Sequence, residues 1–235
     1  MENTQTPSKT KVHNVIILDR SGSMNSIREA AMSGCNEVIS AARIAKEKYS
    51  LTMDQLISLV LFDSTGIETL SWDSDPESTP LLTSKTYIPG AATPLYDAMG
   101  MTLVRLERQI ASEDREHSVM VTVITDGYEN ASREYSGSDI KGMIDNLKAK
   151  GWSFAYMGAD HDVEGVASSI SITNTIRFQK NIQGTMEMFG KERMAKERYW
   201  AKLDRMNREE PCIAKEDKME RFRQYSAEYL DESKK

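Results

Sequence analysis

Ser118-Val-Met-Val-Thr-Val-Ile-Thr125 is an uncharged run dominated by β-branched and apolar side chains. Such a run must be covered on both faces, which points to a strand inside a sheet flanked by helices. Val15 to Leu18, Leu56 to Phe62 and Trp152 to Met157 read the same way, with a shorter strand near 174–178. Ile67 to Trp72 reads as an antiparallel edge or hairpin partner of the second run, and 73–84 is rich in breakers. Helical spacing fills the intervals: about 26–48, Pro94 to about 111, 137–149 ending at Lys150-Gly151, and a short piece near 162–169. The first of these helices has Ser26 and Glu29 in capping-box register. Alternation of this kind predicts an α/β fold, doubly wound, with a mostly parallel sheet between helices. Right-handed crossovers put the strand ends on one side, where such sheets bind ligands near the switch in strand order.

Three segments deliver oxygen-bearing side chains to that side. The first strand runs straight into Asp19-Arg-Ser-Gly-Ser23, an acid and two hydroxyls at alternate positions, with Gly22 available for a turn. Gly90-Ala-Ala-Thr-Pro-Leu-Tyr-Asp97 presents Thr93 just before a helix. Thr125-Asp-Gly-Tyr-Glu-Asn130 presents Asp126 just after the strongest strand. Asp19, Ser21, Ser23, Thr93 and Asp126 are hard oxygen donors of the kind that suits a hard divalent cation.

In these residues the chain resembles the von Willebrand factor A family, whose metal-ion-dependent adhesion site uses D-x-S-x-S, a downstream threonine and a T-D-G aspartate. Asp19, Ser21 and Ser23 match the first loop, Thr93 the second and Asp126 the third, and the resemblance spans roughly residues 12 to 178. Ala92 departs from the glycine that many members carry before the threonine. The resemblance implies a Rossmann-like sheet and a complete site for Mg²⁺, with Mn²⁺ or Ca²⁺ as substitutes. It also implies a protein partner that completes the metal shell with an aspartate or glutamate carboxylate, and no catalysis. The members that look closer are intracellular bacterial and phage-type ones.

Each residue has a plainer reading. Asp19 also suits a helix N-cap or a turn, and Thr93 before Pro94 is an ordinary N-cap. Asp97 falls in a first helical turn, where an acid complements the helix dipole. Glu129 reads as a solvated loop residue at the rim, and Tyr128 as part of a partner-facing surface. His13, His117 and His161 are isolated in sequence and read as structural or exposed. Two other functions compete with the binding module. A Mg²⁺-dependent phosphoester hydrolase lacks a Gly-rich phosphate loop and an obvious general base. A scaffold protein would assemble through its tail.

That tail begins near Asn181. Met186, Phe189, Arg193, Lys196, Tyr199 to Leu203 and Met206 suggest an amphipathic helix, Pro211 interrupts it, and Met219, Phe222, Ser226, Tyr229 and Leu230 suggest another. Residues 191–235 hold 13 basic and 11 acidic side chains, so the segment forms no core alone. It must pack on the domain, bind a partner or stay solvated, and a solvated charged face is the expectation. The division is therefore a flexible N-terminus at 1–11, a domain at 12–180 and a charged helical extension at 181–235. A net charge of −6 argues against nucleic acid as the partner. Cys35 and Cys212 form no metal or redox motif. The polar first residues resemble no signal peptide and no apolar stretch spans a bilayer, so a cytoplasmic protein with no membrane association is expected.

Overall fold

The computed structural model describes residues 9–159, 162–210 and 213–230. Six strands form one sheet: β1 (Thr10–Asp19), β2 (Met53–Asp63), β3 (Gly66–Ser74), β4 (His117–Thr125), β5 (Ser153–Ala159) and β6 (Asn174–Phe178), in the order β3-β2-β1-β4-β5-β6. All neighbours are parallel except β2 and β3. The chain moves outward from β1 to β3, then crosses back to β4 and moves outward to β6. The reversal falls between β1 and β4, the strands that end at Asp19 and Thr125.

Among the described residues, six α-helices cover the sheet: α1 (Arg28–Lys48), α2 (Leu95–Ala111), α3 (Gly137–Ala149), α4 (Val163–Ser169), α5 (Ile182–Glu209) and α6 (Lys215–Ala227). Side chains of β1 alternate between faces, as a pleated strand requires. Val15 and Ile17 pack in the core beneath α2, α3 and α4, whereas Ile16 and Leu18 pack in the core beneath α1, α5 and α6. The expected α/β architecture is what the chain adopts.

Several local expectations shift. Thr10 and Lys11 are not loose: they pair with Met53 and Asp54 of β2, so β1 starts inside the segment expected to be flexible. Ser26 caps nothing. Gly22–Ile27 forms a 3-10 turn and α1 starts after it, with Ser26 Oγ donating to the Ser23 carbonyl. The capping box lies at Ser136 and Asp139 instead, opening α3. Ile44, spaced as a core residue of α1, is exposed.

The larger shift concerns α5. It packs against α1 and the central strands, with Met188, Phe189, Trp200 and Leu203 buried. A Cβ added at Gly34 of α1 would come within 2.1 Å of the Phe189 ring, so only glycine admits this approach. Phe222 of α6 and Tyr229 close the same core. The expected solvated face also carries a charged pair that is buried. Lys196 Nζ sits 2.9 Å from Glu192 Oε1, with side-chain exposures of 0% and 1%. Thr122 of β4 donates to the same Glu192 oxygen (2.5 Å), and Lys196 donates to the Thr122 hydroxyl (3.2 Å). The Tyr229 ring centroid lies 5.9 Å from the ammonium. The helices of 181–235 are thus a layer of the domain. Cys35 is buried in the same core, and burial pushes its thiol up to about 12. Pro211 and Cys212 lie outside the described residues. Among the described residues, no helix is long and apolar enough to cross a membrane.

Candidate metal centre

Parallel strands bring the ends of β1 and β4 side by side, and three loops are stitched together above them. Loop one, after β1, meets loop two, before α2, through Gly22 N–H donating to Ala91 O (3.0 Å) and Gly90 N–H donating to Arg20 O (2.9 Å). The Tyr87 hydroxyl donates to the Asp19 carbonyl (2.7 Å) and fastens loop two to the end of β1. Loop two meets loop three, after β4, through Thr93 N–H donating to Asn130 Oδ1 (2.8 Å) and Asn130 N–H donating to Thr93 O (3.1 Å).

Asp19 is fully buried, and both its oxygens are engaged: Oδ1 accepts the Ser21 N–H (2.6 Å) and Oδ2 the Thr125 hydroxyl (2.6 Å). Burial raises its carboxyl to about 6, and the nearby Asp126 charge adds to the rise, against the lowering by those hydrogen bonds. Ser21 Oγ and Ser23 Oγ are 3.0 Å apart, and Ser23 Oγ donates to Asp126 Oδ1 (2.5 Å). Four of the five expected residues therefore form one continuous chain of contacts. The fifth, Thr93, is buried and joins through its backbone.

The other oxygen of Asp126 differs. Oδ2 is buried and takes no hydrogen bond of good geometry, yet it faces Lys180 Nζ at 2.8 Å. Arg20, inside the motif, does not reach the site. Its guanidinium is committed to Asp63 Oδ2 (2.8 Å) and Glu68 Oε2 (2.5 Å).

This donor set fits a small divalent cation. Oxygens arranged octahedrally at about 2.0–2.1 Å from Mg²⁺ lie roughly 2.9 Å apart along an edge. The Ser21–Ser23 spacing of 3.0 Å matches such an edge, and Asp126 Oδ2, which takes no hydrogen bond and meets only the Lys180 ammonium, supplies a further carboxylate oxygen. Among the described residues no three His, Cys, Asp or Glu side chains converge on a metal-sized position, so any such site depends on the hydroxyls.

The neighbouring acids serve the loops. Asp97 accepts the backbone N–H groups of Arg133, Glu134 and Tyr135, which shapes the chain leading into α3. Glu129 is no solvated rim acid: it accepts the N–H groups of Tyr96, Ala131 and Ser132 and so holds the start of α2. Tyr128 is 55% exposed at the rim, where its hydroxyl accepts the Asp162 N–H. His13 and His117 meet at the opposite end of the sheet. His13 bridges Asp73 (2.5 Å) and His117 (2.9 Å), and burial with the adjacent His13 lowers His117 to about 4. His161 lies outside the described residues. At Ala92 the missing glycine costs nothing, because the left-handed residue of the loop is Ala91, at φ 62°. Gly22 has a negative φ and room for a Cβ, so the turn does not require glycine there.

Sequence reasoning missed Thr125, Asn130 and Lys180. Thr125 opens the T-D-G segment and Asn130 follows it, so their donor chemistry was in view. Lys180 carries no local signal, because its approach depends on β6 ending beside β5, one strand away from β4.

Solved structures share this fold. The chain superposes on proximal thread matrix protein 1 from the mussel byssus with a TM-score of 0.55 and 12% identity, covering 77% of this chain and 46% of that one. The pilus adhesin SpaC from Lactobacillus rhamnosus GG gives 0.53 and 13%, covering 80% and 30%. The VWA domain of SpRpn10 gives 0.53 and 8%, covering 77% and 94%. The chain spans less than half the length of the first two. No family model matches the chain, and neither does any curated protein. At these identities the likeness is one of fold, and the fold is that of a von Willebrand factor A domain.

Proposed function

We propose that this chain is a Mg²⁺-dependent protein-binding module that acts without catalysis, in the cytoplasm. Asp19, Ser21, Ser23 and Thr93 would hold the ion, with Asp126 completing the set directly or through water. A divalent ion held mainly by neutral hydroxyls and one carboxylate keeps residual positive charge and supplies an open position for a partner's aspartate or glutamate. The chain's own residues do the rest. The Thr125 hydroxyl and Ser21 N–H orient the Asp19 carboxylate, Tyr87 fixes the strand end beneath it, and Asn130 keeps Thr93 in place. The exposed Tyr128 offers a partner an aromatic contact at the rim.

The observation that carries this reading is the continuous run Asp19–Ser21–Ser23–Asp126 at the switch point, ending in a buried carboxylate oxygen without a hydrogen bond. The scaffold alternative loses support, since Met188, Phe189, Tyr199, Trp200 and Leu203 of α5 are already buried on the domain, although Met186, expected on the same face, is exposed. Calorimetric titration of Mg²⁺ or Mn²⁺ tests the proposal. Outer-shell residues typically cost 10–100-fold in metal affinity, so loss of a direct ligand in Asp19→Ala should exceed about a hundredfold, with Thr93→Ala intermediate. An unchanged titration in Asp19→Ala refutes it.

A further inference from the structure

The cation already beside Asp126 belongs to the protein. We propose that Lys180 is an internal competitor for this site: its ammonium must leave Asp126 before a divalent ion is held, so an acidic partner that draws Lys180 away strengthens metal binding. This inference rests on the metal-dependent reading above and names its regulation.

Lys180 is placed by anchored neighbours. Phe178, the last residue of β6, is buried in the core, and Asn181 caps α5 by accepting the Gly184 N–H (2.8 Å). Asn181 N–H also donates to the Gln179 carbonyl (2.8 Å), which tightens the connection. A lysine fixed two residues beyond a parallel strand end lies on the same side of the sheet as Asp126, within reach of its long side chain. The pair is asymmetric. The Asp126 side chain is 0% exposed and the Lys180 side chain 22%. Opening the pair therefore needs only rotation of the lysine toward solvent, with the backbone and the Asp126 loop at rest.

The chemistry makes lysine and metal exclusive. An ammonium at 2.8 Å uses the one Asp126 oxygen that makes no hydrogen bond, and a second positive charge there is repelled at close range. The motif's own cation, Arg20, is held elsewhere by Asp63 and Glu68. A partner carboxylate arriving at the opening finds two positive groups, the ion and the displaced ammonium. Linkage then requires that partner and metal strengthen each other's binding by the same factor.

Manganese titration by calorimetry of wild type, Lys180→Gln and Lys180→Arg tests this. Lys180→Gln should bind Mn²⁺ roughly tenfold tighter or more, about 1.4 kcal/mol, while Lys180→Arg stays near wild type. Equal or weaker binding in Lys180→Gln overturns the competition while leaving the metal site standing. Absence of binding in both wild type and Lys180→Gln overturns the metal site and this inference with it. A second measurement needs no variant. Acetylation of Lys180 by an amine-reactive ester, followed by mass spectrometry, should quicken when Mn²⁺ is added to wild type, and an unchanged rate counts against displacement.

Discussion

Two lysine–carboxylate pairs of nearly equal length sit in very different parts of the molecule. Lys196 and Glu192 are 2.9 Å apart under α5, sealed from water on all sides. Lys180 and Asp126 are 2.8 Å apart at the loop end of the sheet, where only the lysine meets solvent. The sealed pair is balanced, one charge of each sign, with Thr122 bridging both groups. The loop end sets two carboxylates, Asp19 and Asp126, against one ammonium. Distance alone therefore does not separate a structural ion pair from an exchangeable one. Access to solvent and local charge balance do.

The comparison breaks most easily at the sealed pair. Lys196→Met strands a buried carboxylate and should cost about 3–5 kcal/mol, whereas Glu192→Leu with Lys196→Met should recover most of it. Lys180→Met should cost less, about 1–3 kcal/mol, because Asp126 stays buried but keeps its Ser23 hydrogen bond and lies next to a lysine position that solvent reaches. Urea unfolding of the four proteins reads all of this, and equal losses at the two lysines would erase the distinction.

A smaller effect sharpens the charge-imbalance half. Asp19 titrates near 6 in the folded protein against an ordinary 3.8, so the fold prefers its protonated form. That contribution is fully present below about pH 4 and is lost as pH rises through 6. In metal-free wild type it amounts to about 3 kcal/mol, at about 1.4 kcal/mol per unit. Measured against Asp19→Asn in EDTA, wild type should lose that much stability between pH 4 and pH 7. A flat difference would mean that the site end bears its charge without strain. The least effect concerns the backbone. Ala91→Gly relieves a left-handed alanine and should stabilise the protein by about 1 kcal/mol in thermal unfolding, less the entropy of the freer glycine.

How far the sequence alone reveals each region follows the same divide. The strands and the D-x-S-x-S, threonine and T-D-G segments were readable because each is local: a run of β-branched residues, or oxygens at fixed spacing beside a strand end. Lys180 was not, since its reach to Asp126 is set by the side-by-side ends of β4, β5 and β6. The burial of Glu192 and Lys196 was not readable because charge on a helix ordinarily marks the wet face, and the groups that make it tolerable, Thr122 and the Tyr229 ring, come from elsewhere in the chain. Ser26 failed as a cap because the Gly22–Ala91 hydrogen bond draws the preceding turn into 3-10 geometry. In each case a contact from far along the chain overrode a correct local preference.

The position of α5 has a consequence for biosynthesis. It covers the middle of a sheet whose first strand is made nearly two hundred residues earlier, counting from Thr10 to Glu209. While the ribosome works through that interval, α1 is the one helix available to cover the face that carries Ile16, Leu18 and Met120, and the nascent sheet is at its most adhesive. A ribosome stalled before Trp200 should therefore hold a chain that chaperones recognise, and release should come only once the last long helix has been synthesised and has docked.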